Sequence, residues 1–165
     1  MKLLRLCLLA AILLLPTVAL RAEGLDLAPY RGKVVYLDFW ASWCSPCLQS
    51  FPWMKTMQDS YGAEGLVIVA VNVDRQRDAA DAFLRRTAPN FQIIYDPENK
   101  LFDHYQLLGM PTALLFDRQG VLRTRHVGWR ADQRAAYEAE IKALLREKPG
   151  QAKPAGVKAS AAALP

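Results

Sequence analysis

VVYLDFWASWCSPC, residues 34–47, sets two cysteines, Cys44 and Cys47, directly behind a strand-like run. Residues 34–40 are dominated by β-branched, aromatic and aliphatic types, the composition of a strand covered on both faces rather than one alternating with solvent. Residues 45–61 then read as a helix. Pro46 suits a first turn, Phe51, Met54, Met57 and Gln58 recur at helical spacing, and Gly62 ends the element. Pro52 lies inside that helix and predicts a kink. Cys44 therefore stands where a strand ends and a helix begins, and there unpaired backbone N–H groups and the helix dipole favour negative charge. A thiolate attacks disulfides and a thiol hardly does, so this placement predicts an exposed, readily ionised Cys44. Cys47, one turn in, is expected to be more buried and able to reach the Cys44 sulfur.

Outward from the pair, LVIVAVNVD (66–74) is a second near-continuous apolar stretch and reads as a central parallel strand. Two such strands joined by a helix make a βαβ unit. Residues 76–88 read as a further helix with Ala79, Ala80, Phe83 and Leu84 on one face. FQIIY (91–95) reads as a strand, and Asp96-Pro97-Glu98 as a helix start leading to Leu101, Phe102 and Tyr105. TALLFD (112–117), a turn at Arg118-Gln119-Gly120 and VLRTRHV (121–127) form a hairpin signal. Arg123 and Arg125 suit an edge strand, where charge discourages pairing with other chains. A last helix over 131–147 carries Tyr137, Ile141, Leu144 and Leu145 on one stripe. The fold class expected is α/β, a central mixed β-sheet flanked by helices.

The chain has 165 residues, 52% of them hydrophobic, enough for one domain with a core and short for two. Lys2 and Arg5 precede an apolar run from Leu6 to Leu15, followed by Pro16 and small residues toward Ala19 or Ala22. That is the layout of a secretory signal, and the run is short of the roughly 20 residues that span a membrane. Residues 1–22 are read as a signal peptide removed on export, with an uncleaved anchor as the alternative. Residues 23–148 are read as the domain, and 149–165, rich in Pro, Gly, Ala and Lys without periodicity, as a disordered tail. Loss of Lys2, Arg5 and Arg21 with the signal lowers the formal charge from +5 to +2 (18 basic against 16 acidic residues), and no basic run interleaved with aromatics points to nucleic acid.

Cys7 leaves with the signal, so Cys44 and Cys47 are the cysteines that remain. Oxidising compartments use paired cysteines as staples, but a pair this close closes too small a loop to stabilise a domain much. Chemistry explains the spacing better. A zinc site would need four ligands, and neither His104 nor His126 has metal-ligand spacing to the pair. Each histidine is read as a surface or partly buried residue without a catalytic role, and no metal or cofactor is expected.

The sequence resembles the thioredoxin superfamily at DFWASWCSPC (38–47) and at GMPT (109–112). Its similarity to the exported TlpA/ResA-like branch is closer, through GKVVYLDFWASWCSPCLQSFPWM, VIVAVNVD and a strand-plus-helix insertion before Met110-Pro111-Thr112, over roughly residues 25–147. The resemblance implies a thioredoxin-like fold and a redox disulfide between Cys44 and Cys47, with Cys44 attacking and Cys47 resolving. It implies that Trp43 shapes the docking surface, and that Pro111 is a cis-proline facing the dithiol. The Met110 backbone would hydrogen-bond an extended substrate strand, with Thr112 beside it. Asp38 becomes the buried acid that manages the proton of Cys47, since burial raises a carboxyl pKa toward a useful range. The alternative is an acid at an exposed strand edge. Two departures stand out. The superfamily's lysine near that acid is matched by Ala70, and the glutamate many ResA-like reductases carry three residues after the second cysteine is matched by Ser50.

These features imply a periplasmic protein-disulfide reductase, monomeric, acting on exported proteins or cytochrome c precursors and kept reduced by a membrane electron donor of the DsbD/CcdA type. Haem-maturation specialists often carry Pro-Glu at the cis-proline. Thr112 follows Pro111 here, which favours a general TlpA-like reductase. A disulfide-donating oxidase or isomerase is the alternative, disfavoured because Ser45-Pro46 lacks the histidine typical of strong oxidants. A copper-handling or peroxide-sensing module on the same scaffold is a third reading, for which neither the expected histidine nor a lone reactive cysteine is visible.

Overall fold

The apolar run 34–40 forms β1 (Val34–Trp40), buried at every position, and a computed structural model of residues 24–148 and 159–160 builds the domain around it. Residues 1–22 and most of 149–165 lie outside the described residues. β1 feeds α1 (Ser45–Tyr61), whose chain returns as β2 (Leu66–Asn72) parallel to β1, with Val34 opposite Leu66 and Trp40 opposite Asn72. α2 (Arg77–Thr87) carries the chain to β3 (Gln92–Tyr95), parallel to β2. A short α3 (Lys100–His104) precedes β4 (Thr112–Phe116), which runs antiparallel to β1 on its other side, and β5 (Leu122–Val127) is antiparallel to β4. After a 3-10 turn at Ala131–Gln133 comes α4 (Arg134–Arg146). The order across the sheet is β3-β2-β1-β4-β5, extended by a two-residue β6 (Ala159–Ser160) along β5. This is the mixed sheet expected, and β1 is central.

Alternation along β1 divides the core. Tyr36 and Trp40 face α1 and α2, where Trp40 packs on Phe51 and Phe83, and Tyr36 on Trp53. Phe39 faces the other side, toward Phe102 and Tyr105. The predicted stripe of α4, Tyr137, Ile141, Leu144 and Leu145, is buried as expected, and Tyr137 meets Trp53 and Trp129.

Several boundaries differ from the sequence reading, for local reasons. β2 stops at Asn72 rather than at residue 74, because Asp74 turns its carboxylate back to the loop ahead of Cys44. α3 starts at Lys100 rather than at Asp96-Pro97-Glu98. Asp96 stays outside the helix and its carboxylate accepts the amides of Lys100, Leu101 and Phe102, satisfying three of the free N–H groups of the first turn. The last helix begins after the 3-10 turn and ends at Arg146. The arginines of β5 serve the fold itself. Arg123 donates to both Glu147 oxygens and to Asp117, and Arg125 to the carbonyls of Tyr105 and Gln106.

Arg118, in the hairpin turn, ties three remote segments. Its guanidinium donates to the carbonyls of Gly32 at 2.7 Å, Glu64 at 3.1 Å and Leu145 at 3.0 Å. Gly65 lies against it with φ +107°, and a Cβ there would sit 2.8 Å from Arg118 Nη1, so both backbone and space call for glycine.

Candidate active site

Cys44 is the residue that caps α1 and Cys47 lies in its first turn, and the two are joined in a disulfide with their Cα atoms 5.3 Å apart. The Cys47 amide donates to Cys44 Sγ at 3.3 Å, so the sulfur occupies the place where a capping side chain normally satisfies a free amide. Cys47 is fully buried, as expected. Cys44 was expected to be exposed, yet in the disulfide-bonded form it is only 4% exposed, because its sulfur is turned inward to Cys47 and the helix amide. The exposed neighbour is Trp43, at 70%.

The loop that presents Cys44 is fixed from β2. Asp74 accepts from the Ser42 amide at 2.8 Å, the Ser42 hydroxyl at 2.9 Å and Asn72 Nδ2 at 2.7 Å, and its own amide donates to Asn72 Oδ1. Sequence reasoning missed Ser42, Asn72 and Asp74. The available signal was a polar pair, Asn72 and Asp74, at the end of an apolar strand. Ser50 is buried and donates to the Cys47 carbonyl at 3.1 Å, a neutral group where many ResA-like relatives place an acid.

Across from this loop, the Met110–Pro111 peptide bond is cis. Thr112 is buried and its hydroxyl donates to the Gly109 carbonyl at 2.6 Å, while the Gly128 amide donates to the Pro111 carbonyl at 2.8 Å. Thr112 is thus turned into the protein, where it holds the turn. Trp43 and Met110 line one cavity of about 620 Å³ together with Val73, Gln76, Asn99 and Phe102. The stretch expected as a strand-plus-helix insertion supplies Asn99 and Phe102, so it walls the space beside the dithiol.

Asp38 is buried in mid-strand, not at an exposed edge, and is 2% exposed. Burial lifts its carboxyl well above the ordinary range. Its Oδ2 is fully covered with no hydrogen-bond partner. In the sheet it lies directly opposite Ala70 of β2, so the position where the superfamily has lysine holds a methyl group. Of the histidines, His104 is exposed, and His126 is 9% exposed with Nε2 2.7 Å from Glu140 Oε2.

The disulfide at the start of α1, the cis-proline turn ahead of β4 and the buried acid of β1 are carried by the central strands of the sheet. The Redoxin family model matches residues 10–143. The chain belongs to the Redoxin family. Within it, the chain is a TlpA/ResA-like member of the thioredoxin superfamily. This Redoxin-family chain is 33% identical over 98 residues to the thiol-disulfide oxidoreductase ResA of Bacillus subtilis (strain 168), a match covering 59% of the chain and 55% of ResA. The chain thus spans just over half the length of the curated relatives it matches. Among solved structures, a Chlorobium tepidum protein named as a candidate thiol:disulfide interchange protein DsbE is 46% identical, with a TM-score of 0.71 over 72% of this chain and 84% of that one. StoA from Bacillus subtilis, 22% identical with a TM-score of 0.57 over 66% of the Redoxin-family chain and 84% of its own, shares the fold.

Proposed function

We propose that this protein is a periplasmic thiol-disulfide oxidoreductase working as a reductant, with Cys44 and Cys47 as its redox pair. The observation that carries the reading is the disulfide at the start of α1, preceded by a strand whose one buried acid has an unpartnered oxygen. In the reduced protein the Cys44 thiolate keeps the Cys47 amide and the helix dipole as its stabilisers. It attacks one sulfur of a substrate disulfide, the other substrate sulfur leaves as thiolate, and a mixed disulfide remains. Asp38 then takes the Cys47 proton. The Cys47 sulfur attacks Cys44, and the second substrate thiolate leaves. Trp43 and Met110, at the cis-proline turn, would form the docking surface, with the cavity they border taking side chains next to the substrate disulfide.

The basic and apolar leader 1–22 and the export implied by TlpA/ResA-like kinship support the compartment. A dithiol there needs a source of electrons, and a membrane donor of the DsbD/CcdA type fits. Substrates would be exported disulfide proteins or cytochrome c precursors.

Insulin reduction in the presence of a thiol reductant tests the activity, and measurement of the reduction potential tests its direction. Turnover that disappears in Cys44→Ser, together with a potential well below those of strong periplasmic oxidants, is the expected result. A potential near those oxidants would replace the reductase with a disulfide donor, and an inert wild type would remove the enzyme. Mixed disulfides trapped by Cys47→Ala in the native compartment would name substrate and donor.

A further inference from the structure

The sheet register sets Asp38 in a row with two alanines and a histidine. Asp38 of β1 pairs with Ala113 of β4, and Ala113 pairs with His126 of β5. The irregularity between β4 and β5 falls at Leu115 and Phe116, beyond this row. Directly paired residues present their side chains to the same face of a sheet, so Asp38, Ala113 and His126 share the face covered by α1 and α4. Neighbouring strands lie about 4.8 Å apart, which puts the Asp38 and His126 Cα atoms about 10 Å from each other. The residue between them contributes only a methyl group. The Asp38 carboxyl and the His126 imidazole stand on one face of the sheet, on either side of that methyl group.

The outer end of the row meets solvent. His126 Nε2 is 2.7 Å from Glu140 Oε2, whose side chain is 40% exposed. The imidazole lies on the Tyr137 ring, centroids 4.6 Å apart, which fixes its position. The titratable groups gathered around this row are Tyr36 on β1, His126 on β5, and Tyr137 and Glu140 on α4. β2 and β4 contribute Ala70 and Ala113. The Tyr36 hydroxyl is raised well above its ordinary range by burial and then by Asp38, Tyr137 and Glu140, so these charges act on one neighbourhood.

We propose that His126 and Glu140 form the proton route that resets Asp38, running across Ala113 to solvent. The inference rests on the reading of Asp38 given under Proposed function. When Cys47 attacks Cys44, its proton passes to the Asp38 carboxylate, the Cys44–Cys47 bond forms and the bond from Cys44 to substrate breaks. The electron pair leaves with the substrate thiolate. Asp38 then holds a proton away from bulk solvent, and no lysine at position 70 is there to receive it. A bridging water hands a proton to the imidazole while taking that of Asp38, and the imidazole releases one to Glu140 and solvent. His126 and Glu140 touch neither substrate nor sulfur, so they are positioning and relay residues rather than catalytic ones.

The test is the rate of insulin reduction by the full mature chain from acid to alkaline pH, in wild type, Asp38→Asn, His126→Ala and Glu140→Gln. His126→Ala is expected to slow turnover about 10-fold at neutral pH, an order less than loss of a direct acid-base group. Millimolar imidazole should restore most of that rate, and Glu140→Gln, a change at an exposed position, should slow it about 3-fold with a flattened pH profile. A His126→Ala protein with wild-type rates at every pH overturns the route. So does a loss that imidazole leaves unrepaired while Glu140→Gln is silent, since the ring would then serve only to pack on Tyr137. If His126→Ala fails to fold, Glu140→Gln alone decides by the same two outcomes. An Asp38→Asn protein with unchanged turnover removes the role of Asp38 itself, and with it this route, while leaving the dithiol chemistry standing.

Discussion

The buried aspartates at the ends of the strands and the buried aspartate in the middle of β1 live by different rules. Asp74, Asp96 and Asp117 are each 7% exposed or less, and each has its oxygens filled by donors. Asp74 holds Ser42 and Asn72, Asp96 holds three helix amides, and Asp117 holds the amides of Gln119 and Val121 along with Arg123. Asp38 is as deeply buried, yet no hydrogen bond to its side chain is found among the described residues, and its Oδ2 has no partner. Donors that favour the charged form offset the cost of burying it, whereas burial alone favours the neutral acid. The strand-end acids, with their oxygens filled, hold loops in place. Asp38 has no such donor, and burial raises its carboxyl well above the ordinary range.

The sharpest way to break this contrast is to remove a filled carboxylate. Asp74→Ala is expected to cost about 3 kcal/mol, because it strands the Ser42 and Asn72 donors in a buried site. Urea titration with unchanged m-value measures it, and a loss within experimental error would mean that the filled bonds do little. Next comes Asp38→Asn, which should slow disulfide exchange about 100-fold while leaving the fold intact. Stopped-flow kinetics at neutral pH would show it, and an equally fast variant would make Asp38 one more structural acid. Asp96→Ala should cost about 1.5 kcal/mol through the uncapped start of α3, read from the thermal midpoint.

The smallest effect is a slope. Because burial raises the folded-state pKa of Asp38 above its unfolded value, its contribution to stability is fully present below the unfolded pKa and is lost as pH rises through the folded one. Wild type should then lose about 1 kcal/mol per pH unit relative to Asp38→Asn across that window. Parallel stability curves for the two proteins would show that Asp38 is not held neutral.

Much of this was legible in the sequence, because the fold's centre is written as composition. The run 34–40 could only be a doubly covered strand, and Ser45–Tyr61 came out with its predicted bounds from spacing and turn residues alone. The dithiol was legible from its spacing together with the strand before it and the resemblance to the thioredoxin superfamily, and that resemblance singled out Asp38 within its apolar strand. What the sequence withheld depends on register and on long-range partners. Nothing local tells that Asp74 reaches back to Ser42, 32 positions earlier. Arg123 looked like a guard on a bare edge, and instead it is held by Asp117 and Glu147. His126 was set aside because it has no motif. Only the pairing of β1, β4 and β5 puts it in line with Asp38.

Arg118 carries a consequence for how the domain is completed. Its three acceptors lie 86, 54 and 27 residues away. A polypeptide emerging from its N-terminus has Gly32 and Glu64 early, but Leu145 arrives near the end of the domain. The knot is therefore tied last. A nascent chain stopped before Leu145 leaves one prong of the guanidinium unanswered.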